Sequence, residues 1–301
     1  MFVVRYRKIW FTLSALLIAL SAFAVFTYGF KTSIDFTGGD ITEARYAVTR
    51  PDKATIEANL EALNLGGFSV RPSGADSYVI RTKELNQADK ERMVGALKVG
   101  EVAPVIERQN TVGPTAGSEL KSKALKAIAV VVLMIVLFIT FAFRKVSRPV
   151  SSWKYGLSTV IALAHDVIIP TGIFVLFGHY FGIEIDLLFV TGLLAILGYS
   201  VHDTIVVFDR VRENLRINQE TNTKEEFETT VGKSVAQTFG RSINTSLTIF
   251  ITLVALYFYG PVVTEHFALL LTIGIIVGTY SSIFVASPLL VTFYKLQKAS
   301  K

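Results

Sequence analysis

Six runs of about twenty predominantly apolar residues constrain this chain more than any motif in it. A helix rises about 1.5 Å per residue and the hydrocarbon core of a bilayer is about 30 Å thick, so each run is long enough to cross. The predicted spans are residues 9–28, 124–143, 155–177, 187–208, 242–259 and 267–294. With 51% of its 301 residues hydrophobic, the chain is too apolar for a soluble protein of this length. The first run is longer than the apolar stretch of a signal peptide and no small-x-small cleavage site follows it, so it is expected to stay as an anchor.

The formal charge of +6 does not point to nucleic acid, because the basic residues cluster beside the apolar runs, where phospholipid supplies the counter-charge. Arg5, Arg7 and Lys8 precede the first span, and Arg144, Lys145, Arg148 and Lys154 lie between the second and third. The opposite short loops carry Glu184, Asp186 and Glu265 and no Lys or Arg. The positive-inside rule therefore places both termini in the cytoplasm. Lys121, Lys123 and Lys126 sit at the outer end of the second span, which is read as a helix extending into an exported domain. The chain has no cysteine, and His165, His179, His202 and His266 show no metal-ligand spacing, so neither metal nor cofactor is expected.

Residues 1–30 form the N-terminus and first span, 31–116 one small exported domain of soluble composition, and 117–301 the other five spans with a cytoplasmic helical linker at 209–241. The exported domain reads as strand 41–48, helix 52–64, strand 68–71, strand 78–82, helix 87–97 and strand 102–108. Pro51-Asp52 opens its first helix, Gly66-Gly67 closes it, and Asn86 is the expected N-cap of the second. This βαββαβ order is the ferredoxin-like arrangement, which by itself says little about function. The predicted fold class is thus an α-helical bundle of six transmembrane helices with an exported α+β ferredoxin-like domain.

Ionisable groups inside a span cost roughly 2.5–3.5 kcal/mol on insertion scales, so each needs a partner or a purpose. His165 and Asp166 lie near the middle of the third span, and His202 and Asp203 in the inner half of the fourth. Three- and four-residue spacing puts Asp203 on one face with Tyr199, Ser200 and Val207. A carboxyl group facing into the bundle is either protonated and neutral or ionised beside a cation, and exchange between the two is what a proton relay requires. The nearest cation in sequence is Arg241, beside Asn244, Thr245, Ser246 and Thr248 at the start of the fifth span. An interhelical hydrogen bond or ion pair holding the bundle is the purely structural alternative for these residues.

Gly172, Gly192, Gly198, Gly274, Gly278, Pro170 and Pro288 occur within the spans, where small residues allow close helix approach and proline allows bending. No GxxxxGK[ST] motif is present, and Gly38-Gly39 and Gly113-Pro114-Thr115 lack its lysine and its strand–turn–helix setting. Any work is therefore driven by something other than ATP, and one charge crossing a membrane potential is worth about 2.3 kcal/mol per 100 mV.

The block Gly198-Tyr199-Ser200-Val201-His202-Asp203-Thr204-Ile205-Val206-Val207-Phe208-Asp209-Arg210-Val211-Arg212-Glu213-Asn214 resembles the most distinctive segment of the SecF family of bacterial protein-translocase subunits. Asp35-Phe36-Thr37-Gly38-Gly39 is similar to the family's motif after its first helix, and Val112-Gly113-Pro114-Thr115-Ala116-Gly117-Ser118-Glu119-Leu120 to the one leading into the second. Ala164-His165-Asp166 and Arg241-Ser242-Ile243-Asn244-Thr245-Ser246 complete a resemblance that covers essentially the whole chain. It implies a non-enzymatic subunit of the bacterial inner membrane that pairs with SecD in a resistance-nodulation-division type transporter. It further implies use of the proton gradient to assist export of unfolded preprotein delivered by SecA and the SecYEG channel, with YajC as a further accessory. Carried over by position, Asp203 is the proton-bearing carboxylate, Arg241 its cationic neighbour, and Asp166, His165 and His202 are polar members of the same path. Gly38, Gly39, Gly198, Tyr199, Ser200, Thr204 and Asn244 are motif or packing residues. His202 departs from the pattern, many relatives having asparagine there.

Three rival readings are an intramembrane aspartyl protease, a small-molecule antiporter subunit of the same superfamily and a passive scaffold. Asp166 and Asp203 on consecutive spans superficially form a carboxylate pair. The Tyr-Asp and Gly-x-Gly-Asp segments expected of such proteases are His165-Asp166 and His202-Asp203 here. An antiporter subunit is expected to carry larger exported domains.

Overall fold

A computed structural model describes residues 2–47, 49–143 and 150–299. Val48 of the first predicted strand, and Arg144, Lys145 and Arg148 of the basic loop, lie outside the described residues. The chain forms two compact units, Met1–Lys31 with Ala127–Lys301, and Thr32–Lys126.

The larger unit is helical. After a short α1 (Phe2–Arg5) come α2 (Arg7–Tyr28), α6 (Pro114–Ala142, most of which belongs here), α7 (Ser152–Phe181), α8 (Leu187–Glu220) and α9 (Phe227–Tyr259). The last span is built from α10 (Val262–Ser281), a π-helical segment (Ser282–Ala286) and α11 (Ser287–Ala299). Six of these stretches are long and apolar enough to cross a membrane.

The ends of the helices follow local chemistry. Gly182 closes α7 in the left-handed conformation at φ 71°, and the Asp186 carboxylate accepts from Phe189 N at 2.8 Å to open α8. Residues 209–241, expected as a linker, are the continuations of α8 and α9, joined by the turn at 221–226. None of their charged residues is buried. Val211, Leu215, Phe227, Val231 and Val235 are buried in the same core as Val3 and Val4, and Asn214 donates to Ser234 Oγ at 2.8 Å. Glu228 at the start of α9 pairs with Arg7 at 2.8 Å and with Lys295 of α11, tying both ends of the chain to this turn.

Small residues set the helix approach in the centre. A Cβ built on Gly274 of α10 would lie 2.2 Å from Ile196 Cδ1 of α8, and one on Gly278 would meet Ser200 Cβ at 3.2 Å. Gly198, grouped with these in the sequence, has nothing within 4 Å of its Cβ position and faces outward.

In the smaller unit, α3 (Ile34–Thr37), β1 (Gly39–Arg45), α4 (Lys53–Glu61), β2 (Phe68–Ser73), β3 (Ser77–Thr82), α5 (Gln87–Ala96) and β4 (Val105–Val112) precede the start of α6. The strands form one antiparallel sheet in the order β2-β3-β1-β4. Asp52 caps α4 through Ala54 N at 3.1 Å, and Asn86 caps α5 through Asp89 N at 2.8 Å. The last strand begins at 105 and not 102, because Pro104 has no N–H to give a ladder and only an isolated Val99–Val102 bridge precedes it. Ala44, Tyr46, Ile56, Leu60, Met93 and Leu97 fill the core between sheet and helices.

Two sequence motifs meet within this unit. Gly38, at φ 75°, has Pro114 Cα 2.8 Å from where its Cβ would stand, and a Cβ on Gly117 would lie 2.9 Å from Gly38 N. Backbone thus packs directly on backbone where the chain enters the sheet and where it leaves for α6. Asp40, 1% exposed, joins the adjacent elements by accepting from Leu85 N at 2.6 Å, from Thr111 Oγ1, and pairing with Lys90 at 2.8 Å.

Candidate functional site

The two carboxyl groups of the spans, Asp166 and Asp203, each centre a hydrogen-bonded cluster inside the helical unit. Asp166 is at the middle of α7, four residues before Pro170, which has no N–H to offer the Asp166 carbonyl. Its side chain is fully buried. Oδ1 is 2.8 Å from His165 Nδ1, while Oδ2 accepts from Ser200 Oγ of α8 and from Ser281 Oγ of α10 at 2.7 Å. Gly278 is what lets Ser200 approach α10 closely enough for three helices to converge on one carboxyl group. His165 is 1% exposed, its ring stacked against Tyr280 with centroids 5.8 Å apart, and its Nε2 has no hydrogen-bond partner among the described residues.

Asp203 is wired differently. It is 5% exposed, and Oδ1 accepts a single hydrogen bond, from Ser242 Oγ of α9 at 2.6 Å. Oδ2 is buried with no hydrogen-bond partner among the described residues. Ser242 leads into a second set of hydroxyls: its carbonyl accepts from Ser246 Oγ at 2.7 Å, and Ser246 Oγ is 2.6 Å from both Tyr199 Oη and Thr279 Oγ1. Thr204, one residue after Asp203, shares a hydrogen bond with Ser282 at 2.9 Å, and Ser282 donates to Ser200 O at 3.3 Å.

The predicted face of α8 is therefore present: Ser200, Asp203 and Val207 are buried together, with Thr204 buried beside them. Tyr199 is half-buried at its edge. His202 points away and is exposed. Arg241, expected beside Asp203, is exposed, and the residue that meets the carboxylate is Ser242, the next one along. One residue turns a helix by about 100°, which separates a neighbour in sequence from a neighbour in space. Asn244 shares the exposed side of α9 with Arg241, Thr245 and Thr248. Asp166 and Asp203 have no hydrogen-bond partner in common, so the arrangement is two separate acids and not a dyad sharing a proton.

Sequence reasoning missed Thr279, Ser281 and Ser282, which complete both clusters from the last span. Their signal was a group of hydroxyls, with Ser287, in a stretch otherwise apolar and ending at Pro288. It also missed the π-helical turn that begins at Ser282, where one extra residue is accommodated just before that proline.

Comparisons with known proteins agree with one another. The family described as "Protein export membrane protein SecD/SecF, C-terminal" matches residues 96–296. Protein translocase subunit SecF of Thermobaculum terrenum is 40% identical, the alignment covering 97% of this chain and 93% of that one. SecF of Sebaldella termitidis is 35% identical, with 98% and 92% covered. Among solved structures, SecDF from Thermus thermophilus, described as a translocon-associated membrane protein, superposes with a TM-score of 0.81 at 33% identity. That match covers 97% of this chain but only 38% of the longer SecDF chain. A SecDF structure in a super-membrane-facing form gives a TM-score of 0.67 at 34% identity, covering 96% of this chain and 38% of that one.

Proposed function

This chain belongs to the SecF family of protein translocase subunits, and on that premise we propose that it uses the proton motive force to assist Sec-dependent preprotein export, with Asp203 as the group that takes up and releases the proton. The observation that carries the proposal is the half-satisfied state of that carboxyl group: buried, held by one hydroxyl, with its second oxygen unpartnered among the described residues. A permanently ionised carboxylate in such a place is costly, whereas one that alternates between neutral and charged needs a site that commits to neither form. Arg241, exposed one residue before Ser242, is the counter-charge taken in the ionised state, and the exposed His202 adds a titratable group one residue from the acid.

The partner is SecD, the unit acting with the SecA-driven SecYEG channel and YajC in the bacterial inner membrane. Exposed Arg241, Asn244, Thr245 and Thr248 on α9, with Gly198 and His202 on α8, support a partner helix, because such groups facing lipid would be unfavourable. The fused relative, whose chain extends well beyond the matched 38%, is consistent with a second half of this kind. Both termini are cytoplasmic and residues 31–116 are the exported domain. We read that domain as ferredoxin-like from its element order and its β2-β3-β1-β4 pairing, and assign it the contact with unfolded preprotein.

Replacing Asp203 with Asn tests the reading in vesicles carrying the chain, its partner and the translocation channel. The amide keeps the shape and the bond to Ser242 but cannot titrate. Export that no longer responds to an imposed proton gradient is expected, and export that responds as before would remove the pump reading.

A further inference from the structure

We propose, resting on the proton-coupled reading above, that Asp166 is a second proton-exchanging carboxyl group and that Ser281 transmits its charge state to the backbone at the start of the π-helical turn. Ser281 has one hydroxyl proton, and its Oγ stands within hydrogen-bond reach of two acceptors, Asp166 Oδ2 at 2.7 Å and its own helix's Gly278 O at 3.0 Å. It can donate to only one of them at a time. When Asp166 is ionised, the proton belongs to the carboxylate. When Asp166 carries a proton on Oδ2, Ser200 Oγ keeps its role as donor to that oxygen, the new O–H is given to Ser281 Oγ, and the Ser281 hydroxyl turns to Gly278 O.

The second acceptor is not a bystander. Gly278 O also accepts the backbone N–H of Ser282, which it shares with Thr279 O, and Ser282 is the first residue of the π-helical segment Ser282–Ala286. The junction between α10 and this segment is thus a place where the backbone already divides one donor between two carbonyls. Loading or unloading Gly278 O with a serine hydroxyl shifts that division. Ser282 in turn touches Thr204 and the Ser200 carbonyl, so the change reaches α8 on the side that carries Asp203.

The surroundings of Asp166 supply no fixed charge that would hold it in one state. The groups that face it are His165 from its own helix, Ser200 from α8 and Ser281 from α10, while Tyr280 covers the imidazole, donates its hydroxyl to Trp10 O and accepts from Ser14 Oγ of α2. None of these carries a fixed positive charge. With the acid ionised and the imidazole neutral, the cluster holds an uncompensated negative charge in a bundle surrounded by lipid. One proton taken from water cancels it, forming an O–H bond at Asp166 Oδ2, and its return to water on release restores the charge.

Infrared difference spectra of the full chain in lipid vesicles, acid minus alkaline, test this directly. The protonated-carboxyl C=O stretch should lose one component in Asp166→Asn. That component should change position in Ser281→Ala, where its hydrogen-bond partner is gone, and return in Ser281→Thr. The serine pair keeps the test decisive should the Asp166 variant fail to fold. A spectrum unaltered by Asp166→Asn, or a carboxyl component indifferent to Ser281→Ala, overturns the proposal. Because the spectra do not depend on export, that result leaves the Asp203 reading standing. Conversely, export indifferent to a gradient in the unmodified complex would sink the Asp203 reading and leave the spectra to decide this one.

Discussion

Ser242 Oγ donates to Asp203 Oδ1 at 2.6 Å, from the helix that follows the one bearing the acid, and it is the one hydrogen bond that this carboxyl group makes among the described residues. Both side chains are almost completely enclosed. Ser242→Ala should therefore leave a buried carboxyl with no partner, at a cost of about 1–3 kcal/mol. The expected outcome is a lowered unfolding temperature of the detergent-solubilised protein and a weakened response of export to the proton gradient, both recovered by Ser242→Thr. An unchanged unfolding temperature would mean that the bond contributes nothing to the folded state.

Gly117 has no room for a methyl group. Its Cβ position is 2.9 Å from Gly38 N and 3.1 Å from Phe36 O, all backbone, which cannot swing aside as a flexible side chain can. Gly117→Ala is predicted to destabilise the unit of residues 32–126 by about 1–3 kcal/mol through overpacking. Limited proteolysis should then cut within 32–126 at lower temperature, whereas Gly67→Ala, whose Cβ meets nothing within 4 Å, should act only through its φ of 121°.

Asp40 supplies a pH test outside the spans. Burial alone would push its carboxyl up, but the hydrogen bonds from Lys90, Thr111 and Leu85 N and the charge of Lys90 outweigh this and hold it below the ordinary carboxylate value. A depressed folded-state value means that the stabilisation is present above the unfolded value, about 3.9, and is lost as pH falls through the folded one. The unfolding midpoint of residues 32–126 within the intact chain should thus fall below about pH 4, and Asp40→Asn should be less stable at neutral pH with a flatter acid limb. Equal acid limbs in the two proteins would contradict this assignment.

The exposed edge of α9 gives a prediction about assembly. If Arg241, Asn244, Thr245 and Thr248 meet a partner helix, then Thr248→Leu or Asn244→Leu should lower the amount of SecD that co-purifies in mild detergent while leaving this chain's own expression unchanged. Normal co-purification with both variants would place the partner elsewhere.

The spans and the buried face of α8 were legible because a period of three and four residues is local: Ser200, Asp203 and Val207 declare a common side without reference to any other helix. Asp52 and Asn86 were legible as caps for the same reason. What could not be read was any relation across the bundle. The bond from Ser281 to Asp166 joins residues 115 positions apart, and nothing near either one announces the other. Arg241 shows the limit most plainly, since the correct segment was identified but the rotation of α9 gave the carboxylate to Ser242. Residues 209–241 read as a helical linker, but that Val211, Leu215, Val231 and Val235 share a core with Val3 and Val4 is again a relation across the bundle. The π-helical turn depends on how one extra residue is absorbed before Pro288, which spacing alone does not reveal.

Asp203 is proposed to change its charge during the working cycle, and its reactivity toward a hydrophobic carbodiimide, which attacks protonated carboxyl groups in apolar surroundings, reports that change. In vesicles holding the complete translocation machinery, labelling of Asp203, read by peptide mass analysis, is predicted to differ between an energised and a de-energised membrane and to be absent in Asp203→Asn. Labelling of Asp203 to the same extent in both conditions would show an acid that never alters its protonation, and the proton-driven role assigned to it would be wrong.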